Sequence, residues 1–391
     1  MTDTADVIII GAGVHGTSLA FHLAERGTSV IVLERAWIGA GATGRSSGLV
    51  RMHYDLLAET KLAWASFPYF TDWAHRVGGE CGFTNTGFLW LEHGDGEARV
   101  QANVDSHRAL GIDTTLVHAD DIARLAPAMA LDGDEVAAYE PASGYADPSV
   151  SATGFMRAAK AMGARLVQGA EVTAIRTSDD GTRVTGVGTT NGDFAAPIVV
   201  NAAGPWAARV GAMVGLDVPV TVWRHDTGYI GVPVAAPRPI PVVIDNARSM
   251  YIRPEGSELL LIGLEDGSII GGSPDRDTAN AEPGFSDVVT DRIVRRLPAL
   301  ADGTFRVAHS GQDGLTPDQR SILGQAGPDG FYLDCGHSGT GFKTAPAIGL
   351  GMAELILDEA ATSVDIAPFV PTRFDEGRPL VGEHGGTPIW R

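Results

Sequence analysis

Three glycines supply the first recognisable chemistry. Gly11, Gly13 and Gly16 stand in Gly11-Ala-Gly-Val-His-Gly16, directly after the run Asp6-Val-Ile-Ile-Ile10, β-branched from residue 7 on. In that spacing the first glycine permits a tight turn, the second lets backbone approach a pyrophosphate, and the third lets a helix pack closely on a strand. Val14 and His15 open the helix, whose free N–H groups and positive dipole end attract phosphate. Glu34, followed by Arg35, closes the next β-branched run and can accept hydrogen bonds from ribose hydroxyls. No arginine takes its place to suit a 2′-phosphate. A lone glycine motif says little, but strand, glycines, helix, strand and acid in this order specify dinucleotide binding.

Three later glycine turns extend the cofactor. Residues 39–48 form a second glycine-rich loop containing Gly41, Thr43, Arg45, Ser46, Ser47 and Gly48, with Leu49 after it. Such a flexible loop soon after the ribose acid suits a cofactor that carries an isoalloxazine ring beyond its pyrophosphate, namely FAD. Asn201-Ala-Ala-Gly-Pro-Trp206 puts Ala202, Gly204 and Trp206 at another strand end. Gly336-His-Ser-Gly-Thr-Gly341 presents Gly339, Thr340 and Gly341 ahead of Phe342 and Lys343. Val172, in a strand read over 171–175, is expected to wall the same site.

The elements that must position these turns follow from pattern. Residues 6–10, 29–33, 197–200 and 330–335 read as buried strands, and 148–162 and 342–357 as helices. An Asn191-Gly192 turn suggests a small antiparallel ribbon. Between 218 and 307 short strands alternate with Pro- and Gly-rich turns around one helix near 287–297, a largely antiparallel sheet. The predicted class is therefore α/β: a Rossmann-type FAD-binding domain with a mixed sheet, plus a substrate domain on a largely antiparallel sheet. The first is discontinuous, covering residues 1–80, 141–217 and 320–370. The second takes 81–140 and 218–319, and 371–391 is a C-terminal tail.

Composition removes other classes. At 391 residues the chain is long enough for two domains. A net charge of −19 disfavours nucleic acid, which wants a basic face. Cys81 and Cys335 are too far apart in sequence for a metal cluster or disulfide framework, so no metal is expected and a reducing cytoplasm is. The first residues lack the pattern of a signal peptide, and no apolar run is long enough to span a bilayer.

With these motifs placed, the chain resembles the D-amino-acid oxidase superfamily of FAD-dependent oxidoreductases, most closely its sarcosine oxidase and dimethylglycine dehydrogenase branch. The resemblance rests on the first glycine motif with Glu34, Gly41-Ala-Thr-Gly-Arg-Ser-Ser-Gly48, Val199-Val-Asn-Ala-Ala-Gly204 and Cys335-Gly-His-Ser-Gly-Thr-Gly-Phe-Lys343. It implies oxidation of the C–N bond of a small amino acid or N-methylated amino acid to an imine, by hydride transfer to flavin N5, followed by hydrolysis. The electron acceptor would be O2 or another oxidant. Arg51 and Lys343 match residues that hold a substrate carboxylate, and a buried carboxylate does need paired cations. Tyr251 matches a residue lining that pocket. The turn 336–341 would direct N–H groups toward the flavin N1/C2 carbonyl end, stabilising the reduced anion.

Departures from the family narrow these expectations. Thr316-Pro-Asp318 stands where amino-acid oxidases carry arginine, which favours the sarcosine branch. The cysteine that attaches FAD in single-chain sarcosine oxidases falls near Gly311, so FAD is expected to be non-covalent, with a histidine linkage at His53 left open. Leu261 replaces a lysine that promotes oxygen reduction, which puts oxidase turnover in doubt. A 2-hydroxy-acid dehydrogenase on the same fold is the alternative and would need a general base, for which His53, His225 and His337 are candidates. A flavin-carrying β subunit of a heteromeric amine dehydrogenase has the same size and motif set, so a homo- or hetero-oligomer is compatible with the sequence.

Overall fold

The computed structural model describes residues 3–384. β-branched residues buried on both faces build its central sheet, as parallel pairing requires. That sheet has six strands in the order Arg165–Gln168, Val30–Glu34, Val7–Ile10, Ile198–Asn201, Phe331–Cys335 and Ile322–Gln325. All neighbours pair parallel except the last two, which are antiparallel. The sheet is mixed, as expected. Helices Val14–Glu25, Pro148–Ala161 and Gly341–Asp358 pack beside one another on it. Pro148 at the first turn and Asp147 as N-cap, accepting from the Ser149 and Val150 N–H groups, start the second of these.

A nine-stranded sheet forms the other large layer. Its pairs are antiparallel except Val242–Asp245 with Phe88–Glu92. Strands Phe88–Glu92, Thr115–His118 and Val136–Glu140 join it from the first half of the chain. Short strands predominate here, as expected, but Thr221–Gly231 runs further than the strand read from residue 227 and forms a long antiparallel pair with Thr304–Leu315. The second of these strands escaped the sequence reading for a physical reason. Its buried Ser310 and Gln312 are polar, and Gly311 and Gly314 interrupt any apolar alternation. The helix Phe285–Arg296 backs this sheet through Phe285, Val289 and Ile293, with Arg296 fully buried against Glu135 and Asp245.

The ribbon at Asn191-Gly192 is present as Val184–Thr189 and Gly192–Ala195, with Val172–Thr177 as a third antiparallel strand. After residue 370 the chain remains packed where it is described. Arg373 is fully buried and holds Asp318 through Nε–Oδ2 at 2.8 Å and Nη2–Oδ1 at 3.0 Å. Asp318 of the Thr-Pro-Asp motif thus anchors the chain end rather than facing a cavity. Among the described residues, no helix is long and apolar enough to cross a membrane.

Candidate active site

The glycine motif is built as its spacing required. Gly11 has φ +108°, and a Cβ there would sit 2.5 Å from the Ala202 carbonyl oxygen. A Cβ on Gly16 would lie 2.1 Å from the Gly11 carbonyl oxygen, so this glycine sets helix–strand packing and does not wall a cavity. Between them Gly13 starts the helix with no side-chain cap and no acid in the first turn. Thr43, from the second loop, accepts from the Val14 N–H at 3.0 Å and ties that loop to the helix start.

A cavity of about 330 Å³ opens along these turns. Gly11, Gly13, Val14 and His15 line it with Glu34, Arg35, Gly41, Thr43 and Val172, and Ala202, Gly204 and Trp206 close it. Glu34 accepts from the Ala12 and Ala36 N–H groups at 2.9 and 2.8 Å, which fixes its carboxylate while leaving lone pairs for ribose hydroxyls. The Arg35 guanidinium lies 4.0 Å above the Trp206 ring and bonds Asp275 at 3.0 Å. Cradle glycines whose side chains would collide, a fixed acid and uncapped helix N–H groups fit a dinucleotide.

At its far end this cavity reaches Asp313, which also lines a second, smaller one of about 40 Å³. Here the structure brings together Ser46, Ser47 and Leu49 from the second loop, Arg51, Tyr251, and Gly339, Thr340 and Lys343 from the last turn and its helix. Arg51 is 2% exposed, donates to the His53 carbonyl, and lies 4.2 Å from the Tyr54 ring and 5.3 Å from Trp90. Lys343 is 7% exposed, with Nζ 3.4 Å from the Gly339 carbonyl. Burial, then the Arg51 charge, pulls its pKa well below the usual lysine value, against the opposing pull of Glu59 and Asp313. The Tyr251 hydroxyl pairs with Thr227 Oγ1 at 3.2 Å, and burial pushes its pKa up to about 12. Its ring occupies the space that Gly263 leaves; a Cβ there would come within 2.2 Å of it.

Several expected site residues stand behind these walls. Gly48 has φ +68° and abuts the Ala146 carbonyl, while the half-buried Arg45 has its Cβ 3.3 Å from a Cβ built on Gly311. Gly341 backs onto His15 and His337. Phe342 turns into the helical core, 5.3 Å from Phe70. His53 lines neither cavity. It packs 5.2 Å from Trp90 and 4.9 Å from His107, and burial holds its pKa well below 6.5. Both cysteines are buried away from the two cavities.

Distant residues form clusters that spacing did not reveal. His15 and His337 stack at 3.4 Å, and Asp334 Oδ1 lies 3.2 Å from His15 and 3.4 Å from His337. His53, His107 and Glu140 likewise bring potential ligand atoms within 4.8 Å of one another, beside the Arg51 charge. Asp313 was missed altogether, although it stands three residues before Thr316-Pro-Asp318. Beneath the last turn, Glu59 accepts from Thr340 at 3.1 Å and pairs with Arg320, which holds Asp55 at 2.8 Å.

Fold and cavity together define a dinucleotide-binding α/β protein whose second sheet contributes Asp313 and Gly314 to the cavity wall. The chain belongs to the FAD dependent oxidoreductase (DAO) family, whose model matches residues 6–355. It is an FAD-dependent enzyme, as the glycine turns led us to expect. Mitochondrial sarcosine dehydrogenase of Mus musculus is 29% identical over 375 residues, 91% of this chain and 40% of that protein. The chain therefore spans well under half of that relative. Sarcosine oxidase subunit beta of an Arthrobacter species is 26% identical, covering 98% of this chain and 94% of its own length. L-proline dehydrogenase from P. horikoshii superposes with a TM-score of 0.89 at 26% identity, covering 97% of this chain and 100% of its own.

Proposed function

We propose that the protein oxidises the C–N bond of a small amino acid or N-methylated amino acid to an imine, which water then hydrolyses. The observation that carries this reading is the small cavity in which Arg51 and Lys343 meet beside Tyr251, adjoining the dinucleotide cavity. Arg51 and Lys343 line one small cavity, and a guanidinium with an amine donor beside it matches the geometry of one carboxylate. Arg51, caged by Tyr54 and Trp90, gives a fixed pole; Lys343 adds a second donor from the helix behind the last glycine turn. Tyr251 bounds the cavity from the sheet side and limits the substrate to a small one. The bound flavin supplies the electron acceptor for the bond being oxidised. Relatives named for sarcosine, proline and glycine turnover all use small amino acids of this kind.

In this reading FAD is held without a covalent bond, because Gly311 offers no nucleophile and neither cysteine reaches a cavity. The full-length match to a sarcosine oxidase β subunit favours a second possibility for assembly, a heteromeric complex that accepts the electrons. The test is anaerobic flavin bleaching with glycine, sarcosine, dimethylglycine and L-proline against 2-hydroxy acids. Amines should bleach the flavin. Bleaching by hydroxy acids alone would overturn the proposal.

A further inference from the structure

We infer that Asp313 is the nitrogen-recognising residue of this pocket, accepting a hydrogen bond from the substrate amine and selecting amino acids over oxygen analogues. The inference rests on the C–N reading above and adds the pole that reading lacks. A carboxylate site alone binds amino and hydroxy acids alike. Discrimination requires a buried acceptor that only an N–H group or ammonium satisfies.

Asp313 is the only acidic residue among those lining the small cavity. It lies on Thr304–Leu315, paired in register with Trp223 and two residues beyond Gly311, whose register partner His225 also lines the small cavity. It lines both cavities, so its carboxylate stands where the dinucleotide space meets the substrate space. That junction is where a donor carbon must approach the flavin, and the nitrogen is bonded to that carbon. Arg51 and Lys343 supply positive charge from the loop and helix. The pocket therefore has one anionic and one cationic pole, the pattern of a zwitterion. Burial works to raise the Asp313 pKa, while His225 and Lys343 work to lower it. A bound ammonium would act in the same direction as those two groups.

The competing explanation is that Asp313 merely offsets the Lys343 charge. Oxygen isosteres separate the two, because they keep the carboxylate and lose only the N–H. The holoenzyme and its Asp313→Asn variant are compared with sarcosine and methoxyacetate, or with L-proline and tetrahydrofuran-2-carboxylate, using the amine that bleaches the wild type. The half-saturating amine concentration comes from anaerobic bleaching, and the oxygen analogue's inhibition constant from competition. Their ratio should rise at least tenfold in the variant, with the analogue bound as tightly as before or more tightly. A charge-offset role would shift both ligands by the same factor, and a ratio within twofold of wild type would overturn the inference. Asp313→Ser serves as the second variant if the first loses FAD. Failure of every amine to bleach the wild type would instead sink the C–N reading, a result distinguishable from an unchanged ratio.

Discussion

Replacing Lys343 with methionine should move binding and stability in opposite directions. Methionine keeps most of the apolar stem and removes the ammonium. A charge-assisted hydrogen bond contributes about 1.5–3 kcal/mol, so loss of this one should weaken carboxylate substrates roughly 10- to 150-fold, at about 1.4 kcal/mol per tenfold. Stability should rise. Lys343 is 7% exposed, its protein acceptor, the Gly339 carbonyl, is 3.4 Å away, and Arg51 repels it. A lysine whose folded pKa is depressed is protonated in the unfolded chain over a range where the folded group is neutral. In that range the unfolded state binds more protons, so stability increases with pH. The cost is fully present below the folded pKa and gone above the unfolded value near 10.5. The variant should therefore melt higher at neutral pH, by the equivalent of about 1 kcal/mol or more, and the gain should shrink as pH approaches that value. Anaerobic bleaching titrations give the affinity, and thermal melts of the FAD-loaded protein from pH 7 to 10 give the stability. Unchanged half-saturation together with an unchanged melt would show that this ammonium is neither buried at a cost nor in contact with substrate.

Gly16→Ala should yield protein that loses FAD on gel filtration, since the new Cβ meets the Gly11 carbonyl oxygen at 2.1 Å; retention of full flavin content would contradict the packing argument. Arg373→Met should lower the melting temperature strongly. Leaving Asp318 buried without its partner costs about 3–5 kcal/mol, and a variant that melts like wild type would refute the anchoring role. Acid precipitation should leave the flavin in the supernatant, whereas a yellow pellet would mean a covalent link. Dye reduction should outpace peroxide release, because Leu261 is an apolar, 1% exposed residue in the cluster with Leu49 and Tyr251; equal rates would show that O2 is an adequate acceptor without a lysine there.

What the sequence could disclose depended on whether one residue type had one physical task. Gly11 and Gly16 were legible because a Cβ at either would overlap a backbone carbonyl, and Gly13 because it stands between them at the helix start. The central strands were legible because burial on both faces selects β-branched runs. Thr304–Leu315 obeys neither rule. Its sequence is chosen by what it must present to two cavities and by what it must leave room for, so it carries no strand pattern. His15, Asp334 and His337 illustrate a further limit: two belong to one strand end and its turn, the third to a helix start more than three hundred residues earlier, and only parallel pairing of the strands around them makes them neighbours. The same topology explains why Asp313 was passed over while Lys343 was not. Lys343 sits in a motif whose glycines announce a turn, whereas Asp313 acquires meaning only from the register with Trp223, which turns its carboxylate toward the cavity that Lys343 enters from the opposite layer. In this fold the cofactor turns are written locally, and the substrate pocket is written in strand register.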